Sequence, residues 1–415
     1  MANDNIQIAL IGAGGMGQSD ARQSSSLPGV KLVAACDLYT SRLEHCKEIW
    51  GKDTFVTRDY REILARPDID AVIIGTPDHW HSRITIDALN AGKDVYCEKP
   101  MVQKVSQGRQ VIEAQQKTGK ILQIGSQYAS SLAFLKAKQL LAAGAIGKLN
   151  MVEAWLDRNT AMGAWQYSIP QDASPHTVDW DRYLGDIAPK RPFDAMRFFR
   201  WRNYQDYGTG VAGDLFVHLL TGLHVVTGAI GPKRVYATGG LRYWKDGRDV
   251  PDVMLAAMDY PDFTFTLRVN FKSSVPRGEA FGLRFVGSEG NMMVTMDDLH
   301  VSKQPRESEP GYTVDTFSAA QQKAVLAAYH DKYPSHTIAP EQLQSNDTMH
   351  FVQPQGFSSH LEHHRNFMNA VRTRKPFFED GVFGFRTAGP SLLTTTSLNE
   401  GKVCGWDAES MTRTA

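Results

Sequence analysis

Short apolar runs alternate with helical stretches over the first 127 residues of the chain. The runs lie at residues 6–11, 31–36, 71–75, 94–97 and 121–125 and contain few polar side chains. Such runs are typical of strands that are covered on both faces of a sheet. Helical stretches lie between them, for example residues 84–91 before Gly92, and this alternation is the pattern of a parallel sheet with crossover helices. We therefore predict a doubly wound α/β domain over residues 1–127.

The remainder of the chain, residues 128–415, follows a different pattern. After a helical stretch at residues 131–143, polar and apolar residues alternate strictly in several segments, as in Phe263-Thr-Phe-Thr-Leu-Arg-Val-Asn-Phe271. This period of two predicts strands with one buried face. The predicted strands lie at residues 148–156, 233–244, 253–260, 263–271, 281–287 and 291–295. We predict a second α/β domain over residues 128–415 with a large open, mainly antiparallel sheet of about six strands.

Two segments of this second domain fit no clean period. Residues 157–207 and 304–352 are rich in Trp, Tyr, Pro and Asp. We interpret them as long loops with short helices. Because long loops on a rigid scaffold often carry functional residues, both segments are candidates for ligand contacts.

The composition is that of a globular protein without a polyanionic partner. The 415 residues include 45 Lys and Arg against 45 Asp and Glu, and a net charge of zero attracts neither nucleic acid nor an acidic membrane surface. No window of about 18 apolar residues predicts a membrane span. The four cysteines form no C-x-x-C pair, which fits a reducing compartment. Because the polar N-terminus offers no signal peptide, we expect a cytoplasmic protein unless a leader was removed.

A glycine motif follows the first predicted strand. Gly12-Ala-Gly14-Gly-Met-Gly17 has the G-x-G-x-x-G spacing, in which the glycines allow a tight turn, a close approach of a pyrophosphate, and packing of helix on strand. Asp37 ends the second strand twenty residues after Gly17, where a carboxylate accepts hydrogen bonds from the adenosine ribose. The spacing therefore predicts a site for NAD rather than NADP. The alternative is a glycine turn beside a surface aspartate.

The ends of two later strands carry polar residues. Thr76 and Pro77 end the strand at residues 71–75, and His81 follows, so all three are predicted to border the cofactor. His79 and His81 lie two residues apart on a segment that we interpret as extended. We do not predict a metal there, because no third ligand is within reach in the sequence.

Glu98-Lys99-Pro100 ends the next strand, and a lysine in that position can donate a hydrogen bond to a substrate hydroxyl and help its proton leave. The alternative is a surface ion pair. Asp214 and His218 lie four residues apart on a helix that follows a glycine-rich turn, which suits a general base with its orienting carboxylate. Helix-surface electrostatics is the alternative for this pair. For His360 and His364, helix-surface electrostatics is our preferred interpretation, so we predict no metal site at these two residues.

These motifs occur together in one order and resemble the glucose-fructose oxidoreductase, inositol dehydrogenase and MocA family. The resemblance covers essentially the whole chain, and the Glu-Lys-Pro tripeptide at a strand end is its most specific mark. It implies an N-terminal Rossmann domain that binds NAD, with a C-terminal α/β domain for substrate binding and oligomerisation. The expected cofactor contacts are Gly12, Gly14, Gly15, Met16, Gly17, Asp37, Arg42, Thr76, Pro77, His81, Glu98, Lys99, Pro100 and Gln127.

The resemblance further implies that Lys99, Asp214 and His218 face the nicotinamide. In this hypothesis His218 removes a proton from a secondary hydroxyl of a sugar, polyol or cyclitol, Lys99 hydrogen-bonds the same oxygen, and Asp214 orients the base. Substrate contacts beyond this trio are expected from the segment at residues 157–207, namely Asp157, Arg158, Trp165, Arg200, Trp201 and Arg202. A homodimer or homotetramer is expected through the C-terminal sheet.

Two other functions remain open at this point. Some members of the family are glycosidases that oxidise a sugar transiently, eliminate the aglycone and return the hydride, so NADH does not accumulate. A regulator that binds NAD without turnover is the third possibility, and it would not need the trio.

Overall fold

The first sheet is parallel and has the strand order β3-β2-β1-β4-β5-β6. The computed structural model describes residues 5–276, 279–304, 310–333 and 348–414. The strands are β1 Ile6–Ile11, β2 Val30–Cys36, β3 Phe55–Thr57, β4 Ala71–Ile74, β5 Asp94–Cys97 and β6 Leu122–Ile124. Nearly every residue of β1, β4 and β5 is buried, because helices cover both faces of the sheet. The predicted doubly wound domain is confirmed, although the short strand β3 was not predicted.

Five helices connect these strands: α1 Gly15–Ser25, α2 Thr40–Trp50, α3 Tyr60–Leu64, α4 Asp78–Asn90 and α5 Gly108–Thr118. One prediction here is wrong. We expected His79 and His81 on an extended segment, but α4 already begins at Asp78, with Pro77 as its N-cap. A proline just outside the helix and an aspartate in its first turn favour this early start.

The second sheet has ten strands in the described part of the chain, in the order β14-β13-β12-β11-β7-β10-β9-β8-β15-β16. They are β7 Leu149–Leu156, β8 Arg234–Gly240, β9 Val253–Asp259, β10 Thr264–Asn270, β11 Phe281–Gly287, β12 Gly290–Val294, β13 Asp298–Lys303, β14 Thr348–Val352, β15 Cys404–Asp407 and β16 Thr412–Thr414. Only β7 and β10 pair in parallel; the other neighbours are antiparallel. The mainly antiparallel sheet is confirmed, but the prediction of about six strands is wrong.

The remaining helices lie before, between and after the strands of this sheet along the chain. They are α6 Leu132–Ala142, α7 Trp180–Leu184, α8 Ala195–Phe199, the π-helix Ala212–Phe216, α9 Val217–Thr227, α10 Ala319–Lys332, α11 Ser359–Thr373 and α12 Gly381–Glu400. Residues 157–207 are loops with short helices, as predicted. Within the predicted loop at residues 304–352, α10 and β14 are regular elements, and residues 305–309 and 334–347 lie outside the described ranges.

The C-terminal helices return to the first domain. Phe367 and Met368 of α11 belong to the same buried cluster as Ile8 and Leu10 of β1. The backbone N–H of Ile124 in β6 donates to the carbonyl of Glu379, just before α12. The domain boundary at residue 127 stays a prediction. The structure shows that the C-terminal part of the chain packs on both domains. No helix among the described residues has the length and apolar character needed to cross a membrane.

Candidate active site

The glycine motif forms an open turn between β1 and α1. Gly12 has a φ of +95°, in the left-handed region that favours glycine. A Cβ on Gly17 would overlap the carbonyl oxygen of Gly12, so this glycine allows α1 to pack on the turn. A Cβ on Gly14 or Gly15 would meet nothing within 4 Å, and both residues line the main cavity. The N-terminus of α1 has no side-chain cap, so its N–H groups are available to a pyrophosphate. The turn therefore fits a dinucleotide.

Two glycine substitutions separate the packing and binding roles of this turn. Gly17→Ala forces a Cβ against backbone and is expected to lower the free energy of unfolding by about 1–3 kcal/mol. Gly14→Ala adds a methyl group in open space at an ordinary φ of −71°, so stability is retained while NAD affinity falls by about tenfold. Urea unfolding and NAD titration measure the two effects. Loss of stability in both variants would contradict this assignment.

The cavity has a volume of about 490 Å³ and lies at the carboxyl ends of the parallel strands. Met16, Asp37, Arg42, Thr76 and Pro77 line it, as predicted. Its other wall comes from the predicted loop at residues 157–207, through Tyr167, Ser168, Tyr183, Phe198, Phe199, Trp201 and Arg202. The functional importance of this segment was expected, as were Trp201 and Arg202, but Tyr167, Tyr183, Phe198 and Phe199 were not. Their only signal in the sequence was the segment's content of aromatic residues and arginine.

Asp37 is buried at the end of β2 and is held in place by the backbone. Its Oδ2 accepts from the N–H of Ala13 at 2.8 Å and its Oδ1 accepts from the N–H of Tyr39 at 2.9 Å. The Arg42 guanidinium lies 3.5 Å from Oδ1 and packs over the ring of Phe199. A carboxylate fixed beside the glycine turn is the arrangement that the ribose hydroxyls of NAD require.

The loop after β4 is fixed by two buried histidines. His81 hydrogen-bonds the carbonyl oxygens of Pro100 at 2.7 Å and Thr76 at 2.9 Å, so it joins the ends of β4 and β5. His79 points elsewhere, to the carbonyl oxygens of Tyr183 and Tyr207, and burial lowers its pKa to about 4. The two rings bind separate partners and do not converge on a metal. His81 therefore lies behind the cavity wall and holds the backbone of Thr76 and Pro100 in position.

Asp78, which the sequence analysis did not select, links the two domains. Its Oδ2 accepts from the backbone N–H of Thr209 at 2.9 Å and from the Thr209 hydroxyl at 2.6 Å. Thr209 lies in the glycine-rich turn that leads into the π-helix. The start of α4 therefore holds the segment that carries Asp214.

Lys99 and Asp214 meet across the domain boundary. The Nζ of Lys99 donates to Oδ1 of Asp214 at 2.8 Å and to its backbone carbonyl at 3.0 Å, and the two side chains are only 9% and 7% exposed. The Nε of Arg202 donates to the same Oδ1 at 3.1 Å. Burial alone raises the pKa of Asp214, but the charges of Lys99 and Arg202 outweigh it and hold this pKa well below its usual value. Asp214 is therefore an anion between two cations.

His218 lies one turn after Asp214 along the chain, but it does not make the expected contact with Asp214. Within the described residues no hydrogen bond joins it to Asp214, and its buried Nδ1 has no partner. The expectation that Asp214 directly orients His218 is wrong. The reason is the π-helix at residues 212–216, whose wider turn removes the i, i+4 relation that an α-helix would give. The His218 ring instead packs on Tyr128, with centroids 4.7 Å apart.

The protonation state of His218 follows from its surroundings. Burial lowers its pKa well below the usual value, and the nearby charge of Lys99 lowers it further, while Asp214 opposes both effects. The imidazole is therefore neutral at neutral pH. Its Nε2 makes no hydrogen bond to a described residue, so this nitrogen is available to take a proton.

Glu98, Pro100 and Gln127 do not line the cavity, and neither do Lys99, Asp214 and His218. The Nε2 of Gln127 donates to Oε1 of Glu98 at 3.0 Å, and both residues are buried. Burial raises the pKa of Glu98 well above its usual value. Direct contact of these residues with the cofactor stays a prediction, and the structure shows them supporting the backbone around Lys99.

The expected substrate contacts divide into two groups. Arg202 and Trp201 line the cavity. Trp165 is 0% exposed and packs edge-on against Phe271, so it has no surface for a ligand, and its predicted stacking on a sugar is wrong. Asp157 is also buried and pairs with Arg268 at 3.2 Å.

Two arginines of the same segment are occupied by protein acceptors. Arg158 donates to the carbonyl of Gly163 at 2.9 Å, and Arg200 donates to the carbonyl of Tyr167 at 2.7 Å. Neither belongs to the cavity lining. Arg158 nevertheless lies close enough to the site for its charge to lower the pKa of both Asp214 and His218, so the structure brings Arg158 as well as Arg202 towards these residues.

His360 and His364 are not on a solvated helix surface, so our interpretation of this pair is wrong. His364 is fully buried, and both rings hydrogen-bond Asp20 of α1. The sequence could not show this contact, because it joins residues 340 and 344 positions apart.

Together the glycine turn, the fixed Asp37 and the large second sheet define a two-domain protein with an NAD-binding Rossmann domain. The model of the "Oxidoreductase family, NAD-binding Rossmann fold" matches residues 6–126, and that of the "GFO/IDH/MocA C-terminal domain" matches residues 185–293. The chain belongs to this GFO/IDH/MocA oxidoreductase family, which confirms the resemblance found in the sequence.

Several named proteins are similar to the chain. Inositol 2-dehydrogenase of Gluconacetobacter diazotrophicus is 30% identical over 208 residues, which are 47% of this chain and 61% of that protein. The scyllo-inositol 2-dehydrogenase (NAD(+)) of Bacillus subtilis is 34% identical over 144 residues, 34% of this chain and 42% of that protein. These matches thus span about half the length of the relatives.

The similarity to solved structures extends over nearly the whole chain. Levoglucosan dehydrogenase in complex with NADH and levoglucosan is 18% identical and has a TM-score of 0.68, over 96% of this chain and 98% of that one. An oxidoreductase from Agrobacterium radiobacter in complex with NAD+, L-tartaric acid and magnesium is 14% identical and has a TM-score of 0.69, over 98% of this chain and 100% of that one. Both confirm the fold of the two domains.

Proposed function

We propose that the protein is an NAD-dependent oxidoreductase that moves hydride between nicotinamide and a secondary hydroxyl of a sugar, polyol or cyclitol. The observation that carries this proposal is the buried contact of Lys99 with Asp214, drawn from separate domains, beside a neutral His218. A protein that only binds NAD does not need a buried lysine, carboxylate and imidazole together. Inositol dehydrogenases and levoglucosan dehydrogenase among the similar proteins support a cyclic polyhydroxylated substrate.

The side chains have distinct roles in this reaction. Bound NAD supplies the hydride acceptor. An ammonium group has three donors, and Asp214 takes two of those of Lys99, so the third is free for the substrate oxygen. His218 takes the hydroxyl proton as the C–H bond transfers its hydride. Asp214 fixes Lys99 and Arg202 rather than His218.

Arg202 extends the site towards the rest of the substrate. Its Nε is bound to Asp214, while its side chain lies at the cavity surface over the ring of Trp201, 4.2 Å from the centroid. A guanidinium beside an aromatic ring offers donors to hydroxyl groups and an apolar face to a sugar ring. This arrangement favours a polyhydroxylated ring over an aliphatic alcohol.

The test is a substrate panel with the purified protein. NAD is incubated with free sugars, inositols, anhydrosugars, linear polyols and aryl glycosides, and reduced nicotinamide and released aglycone are both followed. Accumulation of NADH with at least one hydroxyl substrate supports the dehydrogenase. Release of aglycone without NADH would establish the glycosidase instead, and bound NAD with neither product would establish the regulator.

We infer that the outer face of the second sheet joins copies of the chain into a homodimer or homotetramer. Tyr236 and Leu255 are each 45% exposed on this face and line a shallow depression. The ion pair of Arg284 with Glu153, at 2.6 Å, lies in the same depression. Exposed apolar side chains beside charged ones are typical of a protein interface.

Leu255→Glu is expected to weaken this association by about 2 kcal/mol or more, because it places a charge in the apolar part of the interface. Sedimentation analysis over a range of concentrations measures the effect. Leu241→Glu is the matched control, since Leu241 is 46% exposed and lies outside the depression. Equal dissociation in both variants, or none in Leu255→Glu, would argue against this face.

We place the protein in the cytoplasm. All four cysteines are free and buried, which fits a reducing compartment. Fractionation of the source cells tests this location.

A further inference from the structure

Three potential metal ligands converge between α1 and α11, away from the cavity. Nε2 of His360 and Nε2 of His364 lie 2.7 Å and 3.2 Å from Oδ1 of Asp20. One ligand atom from each residue lies within 4.8 Å of the others. We propose that Asp20, His360 and His364 form a binding site for a divalent transition metal ion, with Zn²⁺ as the best match.

The donor set fits this class of ion. Two imidazole nitrogens and one carboxylate oxygen are ligands that Zn²⁺ accepts, and three protein ligands leave the fourth position to water. Metal–ligand bonds of about 2.0–2.1 Å place the corners of a tetrahedron about 3.4 Å apart. The contact of His364 with Asp20 is close to this separation. That of His360, at 2.7 Å, must widen by about 0.7 Å, and His360 lies in the first turn of α11 with 22% of its side chain exposed.

The surroundings of His364 hold its ring in the orientation a ligand needs. Its Nδ1 hydrogen-bonds Oγ of Ser24 at 2.9 Å, which leaves Nε2 facing Asp20. The ring of Tyr96 stacks on it with centroids 4.4 Å apart. A hydrogen bond on the second ring nitrogen is the usual support of a metal-binding histidine. His363, the preceding residue, faces away and binds the carbonyl of Ile124.

The charge of Asp20 gives an independent reason for a cation here. Its side chain is 0% exposed, and its Oδ2 has no hydrogen-bond partner in the structure. Among the described residues no lysine or arginine pairs with it, and its only ion-pair contacts are the two histidines. A buried carboxylate with one unsatisfied oxygen is unfavourable unless a cation compensates it.

A bound ion would join the beginning of the chain to its end. Asp20 belongs to α1, which begins at the glycine turn, and both histidines belong to α11. The three residues hydrogen-bond one another and Ser24, and no described hydrogen bond joins them to Lys99, Asp214 or His218, so the ion would act as a clip between the domains rather than in the reaction. We therefore expect it to stabilise the folded protein without being required for hydride transfer.

The test uses the full-length protein after dialysis against a chelator. Titration with Co²⁺ is expected to give one equivalent of a tetrahedral visible spectrum, which Zn²⁺ displaces, and either ion is expected to raise the midpoint of thermal unfolding. His360→Gln is expected to weaken Co²⁺ binding by at least about 100-fold, and Ser24→Ala by about 10-fold or more. We expect His360→Gln to fold, because His360 is partly exposed and the glutamine side chain keeps a hydrogen-bond donor for Asp20. An unchanged far-UV spectrum and unchanged NAD affinity verify that each variant is folded.

The chain offers a matched control in a second close pair of histidines. His300 of β13 and His350 of β14 have ring centroids 6.0 Å apart, without a carboxylate between them. His350→Gln is expected to leave Co²⁺ binding unchanged. The proposal is overturned if the wild-type protein binds no Co²⁺, if His360→Gln binds it equally well, or if His350→Gln abolishes binding. In those cases the three side chains form only a hydrogen-bonded cluster.

Discussion

Replacing Lys99 with alanine is expected to lower kcat by about 10²–10⁴-fold, with little change in the dissociation constant for NAD. Lys99 donates two of its three hydrogens to Asp214 and has one left for the substrate oxygen, on which charge develops as the proton leaves. The variant removes this donor. Asp214 keeps its ion pair with Arg202, so the substitution does not leave an isolated buried charge. The two readouts are steady-state kinetics at saturating substrate and NAD titration by isothermal calorimetry.

Lys104→Ala is the matched control, because Lys104 is exposed on the loop that follows and is expected to affect neither readout. Lys99→Arg keeps the positive charge but moves the donors, and we expect intermediate activity. If NAD affinity fell as far as kcat in Lys99→Ala, Lys99 would be a cofactor ligand rather than a catalytic residue. Full activity in this variant would remove the lysine from the mechanism.

The patterns that the sequence predicted well are those in which local periodicity and burial agree. In β10 the alternation of Phe and Thr correctly identifies the buried residues, among them Phe265, Leu267 and Val269. The glycine motif and Asp37 were also reliable, because the turn, the close approach of a phosphate and the strand-end carboxylate each demand a particular residue type at a fixed spacing.

Two of the missed strands, β15 and β16, were short, and one of them depended on a distant partner. β15 has four residues and β16 has three, which is too few for a periodic signal. β15 pairs with β8, about 170 residues away in the sequence, and β16 pairs only with β15. The start of α4 was missed for a different reason, since Pro77 and Asp78 are helix-start signals in a segment that we interpreted as extended.

In the candidate active site, the spacing of residues in the sequence did not predict which side chains are in contact. Asp214 and His218 have the spacing of facing residues on an α-helix, and one π-helical turn removes that contact. Trp165 was expected to contact the substrate because it lies in a predicted functional loop, but packing against Phe271 buries it completely. Both outcomes depend on tertiary packing, which composition and periodicity do not report.

His218→Gln is expected to lower kcat by about 10²–10⁴-fold and to remove the acidic limb of the pH profile. A general base must be neutral to accept a proton. Because burial, with the charge of Lys99, holds the His218 pKa well below its usual value, the wild-type kcat/KM should stay constant as the pH falls through 6.5 and decline only below it. The measurement is kcat/KM against pH for both proteins over the range in which they remain folded.

The control for this experiment lies on the same helix. His224 is buried, its Nε2 hydrogen-bonds the hydroxyl of Tyr260 at 2.8 Å, and burial lowers its pKa to about 3, but the charge that acts on it is that of Arg386 rather than those of Lys99 and Asp214. His224→Gln is expected to leave the profile unchanged. An acidic limb that survived in His218→Gln would assign the proton transfer to another group. Lys99→Ala gives a further check on the effect of the Lys99 charge on His218. Without this charge the His218 pKa rises, so the acidic limb in the pH profile of the variant's residual activity should move towards neutral pH.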